Sequence, residues 1–224
     1  MRLKYCGGFA TIVLLFAGNL LAQYPHFVPV IAKTRVTEET IRAGKVIKKE
    51  IKEGVYYRSD DGSIFRRITS IDGDRQAALR AVGQLWDNHT AINYHLDFIR
   101  RIAYEREHGP GPTQPRVSDP EAASKLPLDS VDGIGCRVYP VKFMKPGQTG
   151  LEDIGQNCRS VKYYLTLSWD KTFKMENGDS FRTVFRMFDI RVGAEPDPQW
   201  FDLQGNFKVY GQQQGQPQGG PPNR

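Results

Sequence analysis

Residues 158–169 read Cys158-Arg159-Ser160-Val161-Lys162-Tyr163-Tyr164-Leu165-Thr166-Leu167-Ser168-Trp169, and a second run from Phe181 to Val192 follows them. Val161, Tyr163, Leu165, Leu167 and Trp169 alternate with Lys162, Tyr164, Thr166 and Ser168. Successive strand side chains point to opposite faces, so this spacing predicts one apolar and one mostly polar face. Between the runs lies a turn-rich stretch, 170–179, containing Asn177-Gly178. Two β-prone runs about a short polar connection predict an antiparallel hairpin. The rest of the chain reads as strands added to it.

Working outward, residues 32–41 and 45–58 predict two strands around Arg42-Ala43-Gly44. Asp61-Gly62 within 59–63 is the best local turn, since Asp-Gly accepts the positive φ of tight hairpins. Residues 64–71 form the next predicted strand. Residues 72–82 break the pattern: Asp72 or Asp74 can cap a helix of about two turns, with an irregular connection as the equal alternative. Strand character returns at 85–104, with Asp87-Asn88-His89-Thr90 and 97–100 as turns. Residues 108–125, rich in proline and glycine, forbid a continuous ladder. They read as a surface connection between two halves of one sheet, with a linker between two domains as the competing reading. Strands are predicted at 126–131 and 134–144, a polar loop at 147–156, and a final edge strand at 206–210. Asp197 with Pro198 predicts a short capped turn. Residues 211–224 are nearly all Gln, Gly and Pro and read as a disordered tail. The expected fold is mainly β: a single curved antiparallel sheet, a half-barrel-like meander with one or two short helices, over residues 32–210.

The chain has 224 residues, is 25% charged and carries a formal charge of +6. Residues 1–22 resemble a secretory signal peptide, with Arg2 and Lys4 before an apolar stretch at 9–17 that is too short to span a bilayer. An uncleaved anchor is the alternative. Removing this leader leaves about +4, too little, and without a basic aromatic stripe, to imply nucleic-acid binding. Residues 23–31, with Pro25 and Pro29, read as an extended arm. The expected location is periplasmic or extracellular, with no stable transmembrane span after cleavage. Export leaves Cys136 and Cys158, for which an oxidising compartment predicts a disulfide. A symmetric hairpin about Lys145-Pro146-Gly147-Gln148 would set the two cysteines opposite each other, closing a loop worth about 3 kcal/mol. Two buried thiols are the competing reading.

Three stretches carry a family resemblance. Tyr56-Tyr57-Arg58-Ser59-Asp60-Asp61-Gly62-Ser63 with Arg66-Arg67 resembles the YRDxxGRxRRE motif of a family of uncharacterised exported proteins from soil bacteria. Residues 87–97 resemble its DPxxxxxYxLDP hairpin. Residues 185–203, with Gly193-Ala194-Glu195-Pro196-Asp197-Pro198 and Phe201, resemble its closing GEPDPxLF signature. The first motif lacks its usual Arg-Glu ending, and Gln204 stands where the family has proline. The resemblance implies no activity. Its layout is similar to the open half-barrels of periplasmic lipoprotein carriers and envelope-stress sensors, which implies a concave face able to hold a lipid or a partner segment.

Asp87, His89, His95 and Asp97 are the cluster nearest to metal-ligand spacing, but turns explain both aspartates better, and no metal or cofactor is expected. No nucleophile elbow or phosphate loop is present. The acidic neighbours Glu38-Glu39 and Asp60-Asp61 read as solvated surface, and the pairs Arg66-Arg67 and Arg100-Arg101 as solvated rims. Tyr57, Phe65, Trp86, Tyr94, Phe143, Tyr163, Trp169 and Phe185, with Phe188, are the candidates to line one concave aromatic face; core packing is the competing reading. The favoured function is a non-enzymatic exported binding or envelope-assembly module that holds a lipid or apolar peptide, or meets an envelope protein. The alternatives are a structural protein with a filled core working through a sheet edge, and a hydrolase whose site is not visible in the sequence.

Overall fold

The computed structural model describes residues 27–108, 124–144 and 151–211. The expected leader, most of the proline-rich connection, the turn at 145–148 and the tail beyond Gly211 lie outside the described residues. Those residues build one open, curved sheet of twelve strands. In chain order they are β1 (Val30–Arg42), β2 (Lys45–Arg58), β3 (Ile64–Ile71), β4 (Gly83–Asp87), β5 (Ile92–Asp97), β6 (Ile102–His108), β7 (Leu128–Val131), β8 (Ile134–Met144), β9 (Leu151–Ser160), β10 (Leu165–Lys174), β11 (Ser180–Val192) and β12 (Lys208–Tyr210). Their order in space is β12-β6-β5-β4-β3-β2-β1-β11-β10-β9-β8-β7. The chain therefore leaves near one edge after β6 and re-enters at the opposite edge as β7.

Local chemistry explains most of this path. Asp132 and Gly133, at φ 53° and 75°, supply the two positive φ angles of the β7–β8 hairpin. Asp74 caps the helix α1 (Arg75–Leu79) by accepting from the Gln76 and Ala77 amides. Asp197 accepts from the Gln199 amide and opens a single 3-10 turn at Pro198–Trp200, and Asp202 caps the helix α2 (Leu203–Asn206).

Four expectations need correction. Residues 161–164 are a turn, so the alternation read from Val161 begins as a strand only at Leu165, which pairs with Ser160. The polar loop expected at 147–156 gives way at Leu151 to β9, an interior strand that pairs with both β8 and β10. The final strand pairs parallel with β6, so the sheet is mixed rather than wholly antiparallel, and it begins at Lys208 because Asn206 ends α2. The disulfide joins Cys136 and Cys158 at a Cα separation of 5.5 Å, but the cysteines are diagonal. Val138 opposes Cys158. The register is two residues beyond the symmetric one, and the shift of β8 against β9 between Val141 and Lys142 accounts for one of the two.

That shift sits at Gly155. Its φ is +144°, and a Cβ there would stand 2.0 Å from the Asp170 carbonyl oxygen on β10. Only glycine lets the two strands approach so closely.

The far end of the sheet curls over. β7 touches β11 across three intervening strands, and the Asp132 carboxylate accepts from the Ile190 amide at 2.7 Å. One core cluster fills this curl: Val30, Ala32, Tyr56, Ile64, Val131, Leu165, Leu167, Phe185 and Met187 with the disulfide. Arg58, 2% exposed, clamps its rim. Its Nε and Nη2 donate to the Val28 carbonyl at 3.1 and 2.7 Å, and Nη1 to the Tyr164 carbonyl at 3.4 Å. Burial pushes the Arg58 pKa down from its usual value.

Opening the disulfide, by reductant or by Cys136→Ser with Cys158→Ser, is expected to lower the unfolding free energy by about 3 kcal/mol. Urea titration of the oxidised and opened forms measures it. An unchanged midpoint would mean that the diagonal β8–β9 staple leaves the unfolded chain unconstrained.

Candidate functional site

Adjacent residues on β2, β3 and β4 divide the aromatic set between two faces. Tyr56, Ile64 and Trp86 join the curled core, while Tyr57, Phe65 and Leu85 point the other way. The second face carries its own cluster of Phe65, Leu85, Tyr94, Leu96 and Ala103. Tyr57 stacks on Phe65 with centroids 5.8 Å apart, directly opposite it in the β2–β3 register.

The eight sequence candidates therefore do not share one surface. Tyr57, Phe65 and Tyr94 belong to the second face. Trp86, Tyr163, Trp169 and Phe185 belong to the curled core, where Trp169 and Phe185 stack at 4.0 Å. Phe188 lies near Arg35, whose guanidinium carbon is 5.3 Å from its ring centre. The Phe143 side chain lies outside the description.

The second face is only partly covered. After β11 the chain crosses it as a strap: Trp200 lies 5.1 Å from Phe65 and 5.7 Å from Tyr57, and Phe207 lies 5.4 Å from Phe98. Phe98 reaches the sheet because Gly83 leaves room; a Cβ on Gly83 would stand 2.5 Å from its ring. Between strap, α1 and the β5–β6 turn a cleft of about 670 Å³ stays open. Phe65, Phe98, Trp200 and Phe207 form its floor, and Leu79 and Ile99, 44% and 63% exposed, stand at its mouth. Arg67, Arg80 and Arg101 line it, with the amides of Gln76, Gln199 and Asn206. The Arg67 guanidinium lies 4.2 Å over the Phe98 ring.

Sequence reasoning placed Arg67 and Arg101 on solvated rims and passed over Leu79, Arg80, Phe98, Ile99 and Trp200. One signal was present. Arg67 has the parity of Phe65 on β3, so any face that takes Phe65 takes Arg67 as well.

The motif aspartates turn out to build the frame. Asp61 accepts from the Ser59 hydroxyl, from the Ser63 amide and hydroxyl at 2.9 Å each, and faces His89 Nε2 at 2.9 Å. Asp87 accepts from the His89 and Thr90 amides, and Asp97 from the Ile99 and Arg100 amides. Asp97 thereby holds the turn that presents Phe98, Ile99 and Arg101. Among the described residues no group of three or more His, Cys, Asp or Glu is placed to hold a metal. No helix among them is long and apolar enough to cross a membrane.

No family model and no curated protein matches the chain. Among solved structures it is similar to a DUF1329 family protein from Desulfovibrio piger, at 12% identity and TM-score 0.36, covering 80% of this chain and 91% of that one. It is also similar to a LolA superfamily protein from Nitrosomonas europaea, at 10% identity and TM-score 0.34, over 79% and 91%. A third is a domain described as an outer membrane lipoprotein-sorting protein from Vibrio parahaemolyticus, at 9% identity and TM-score 0.32, over 78% and 89%. No residue role follows from likeness at this level.

Burial pushes the Asp61 carboxyl up, but the bonds from Ser59 and Ser63 and the nearby His89 outweigh it and hold the pKa below its usual value. A lowered folded pKa stabilises the protein above the unfolded value of about 3.9 and loses that contribution as pH falls through the folded one. Asp61→Asn is therefore expected to destabilise at pH 7, with the gap to the wild type closing below about pH 4. Chemical denaturation at pH 7 and pH 2.5 reads this out, and a gap equal at both would deny the carboxylate its role.

Proposed function

We propose that this is an exported, non-enzymatic binding module that holds the apolar chain of a lipid or a lipid-like molecule in the cleft beneath the C-terminal strap. The observation that carries the reading is the cleft itself: about 670 Å³ with an aromatic floor on one face of the sheet, a size and lining typical of small-ligand sites. The site is not the single concave aromatic face expected from the sequence. The curled side buries Leu165, Leu167 and Met187 almost completely, and the hollow of about 500 Å³ at its β8–β10 end is lined by Val138, Pro140, Ile154, Gln156 and Asp170 without an aromatic ring.

The described lining residues are apolar, amide or arginine. This set suits holding a molecule better than transforming one, since no side chain among them is a ready nucleophile paired with a base. The sheet edges support the same preference over recognition by strand pairing. The edge strands β12 and β7 have three and four residues, too short to template an added strand of useful length.

The neutral fluorophore N-phenyl-1-naphthylamine tests the reading. It is expected to bind saturably with energy transfer from Trp200. Trp200→Ala should weaken binding at least about tenfold by removing part of the apolar floor, whereas Trp169→Phe, on the other face, should leave it intact. Organic extraction and mass spectrometry of the purified protein should recover an apolar-chain molecule. Binding that survives Trp200→Ala and fails with Trp169→Phe would move the site to the curled core and end this proposal.

A further inference from the structure

The geometry points to an anionic head on the ligand: we infer that Arg67, Arg80 and Arg101 receive a carboxylate or a phosphate monoester at the mouth of the cleft while the apolar chain lies on the aromatic floor. This rests on the cleft reading above and adds the class of molecule.

Three guanidiniums and no carboxylate line the cleft among the described residues. They arrive from three separate elements: β3, the end of α1, and the β5–β6 turn. A run of solvated charge along one strand would not converge in this way. Elsewhere on the sheet three arginines are closely matched to carboxylates. Arg35 meets Glu53 at 2.6 Å, Arg42 meets Asp179 at 2.9 Å, and Arg182 meets Asp170 at 2.5 Å. Arg67, Arg80 and Arg101 make no such pair among the described residues.

The Arg67 guanidinium carbon lies 4.2 Å from the Phe98 ring centre, and a guanidinium held against a ring keeps N–H donors for two-point recognition of a carboxylate or phosphate. Two of the three amides alongside are already engaged. Gln199 Nε2 donates to Asp197 at 2.7 Å, and Asn206 Nδ2 donates to the Gln199 and Asp202 carbonyls at 2.9 Å each. The guanidiniums are thus the principal donors left for a ligand, and they select for charge.

The test displaces N-phenyl-1-naphthylamine from the full chain with three amphiphiles of one chain length: dodecanoate, dodecyl phosphate and 1-dodecanol. Dodecanoate or dodecyl phosphate should compete at a concentration at least about tenfold below that of the alcohol, and the advantage should shrink with added salt because the heads sit at an exposed mouth. Whichever of the two anions competes better identifies the head chemistry. Arg80→Gln with Arg101→Gln, both at exposed positions, should bring the anions to the level of the alcohol and leave the alcohol unchanged. Arg67→Gln is measured separately because it also loses the Phe98 stack. Equal competition by all three amphiphiles would overturn the anionic head and leave the cleft standing. Failure of all three, with the fluorophore unbound, would overturn both.

Discussion

Apolar side chains on both faces of the same strands set the terms for the whole molecule. At β2 and β3, Tyr56 and Ile64 go to one side, and Tyr57 and Phe65 to the other. A sheet of this kind cannot leave one face to water as an ordinary antiparallel meander does. Both faces must be covered, and among the described residues twelve strands with helices of only five and four residues hold little helical material to do it. The solutions differ on the two sides, and the difference produces the candidate site.

On one side the sheet covers itself. The β7–β9 end bends until β7 meets β11, and it is held there by the disulfide, by Asp132 on the Ile190 amide and by the close approach at Gly155. Arg58 ties the start of β1 and the 161–164 turn across the same core through carbonyl oxygens alone. A buried guanidinium is costly, and three hydrogen bonds offset that cost without a carboxylate. Its removal would leave two carbonyls unpaired beside a cavity. These features are structural, and they account for the most conspicuous sequence signals, the two cysteines and the alternating run at 165–169.

Those signals were legible because they are local or periodic. The hairpins at β1–β2, β3 and β7–β8 follow from alternation and from turn residues such as Asp132-Gly133, and α1 from its Asp74 cap. What could not be read was the assignment of faces. The aromatic candidates satisfied one periodicity each, yet periodicity within a strand does not say which face of the next strand shares its side; that depends on register, and here on shifts such as the one between Glu53 and Gly54. The turn at 161–164 escaped for a related reason. Val161 and Tyr163 keep the parity of Leu165 while the backbone at Tyr164 enters the left-handed region at φ 53°. The cleft residues were less visible still, because Leu79, Phe98 and Trp200 come from a helix, a turn and the strap, and no spacing relates them.

On the other side the cover is thin, and thinness is what makes a site there physically reasonable. Helices of five and four residues do not sustain themselves in water; they hold only through what they pack against. The strap rests on the sheet through Trp200 and Phe207 against Phe65, Tyr57 and Phe98, rather than through a ladder, until β12 pairs over three residues with β6. A segment secured by a few aromatic contacts belongs to the low-stability end of a structure, where opening is cheap relative to global unfolding. An apolar chain entering the cleft would meet the same rings that the strap meets, and would bury the exposed flanks of Leu79 and Ile99. The ligand would then complete a core that the fold leaves unfinished on this face, while Tyr56, Ile64 and Trp86 tie the reverse side of the same strands into the curled core.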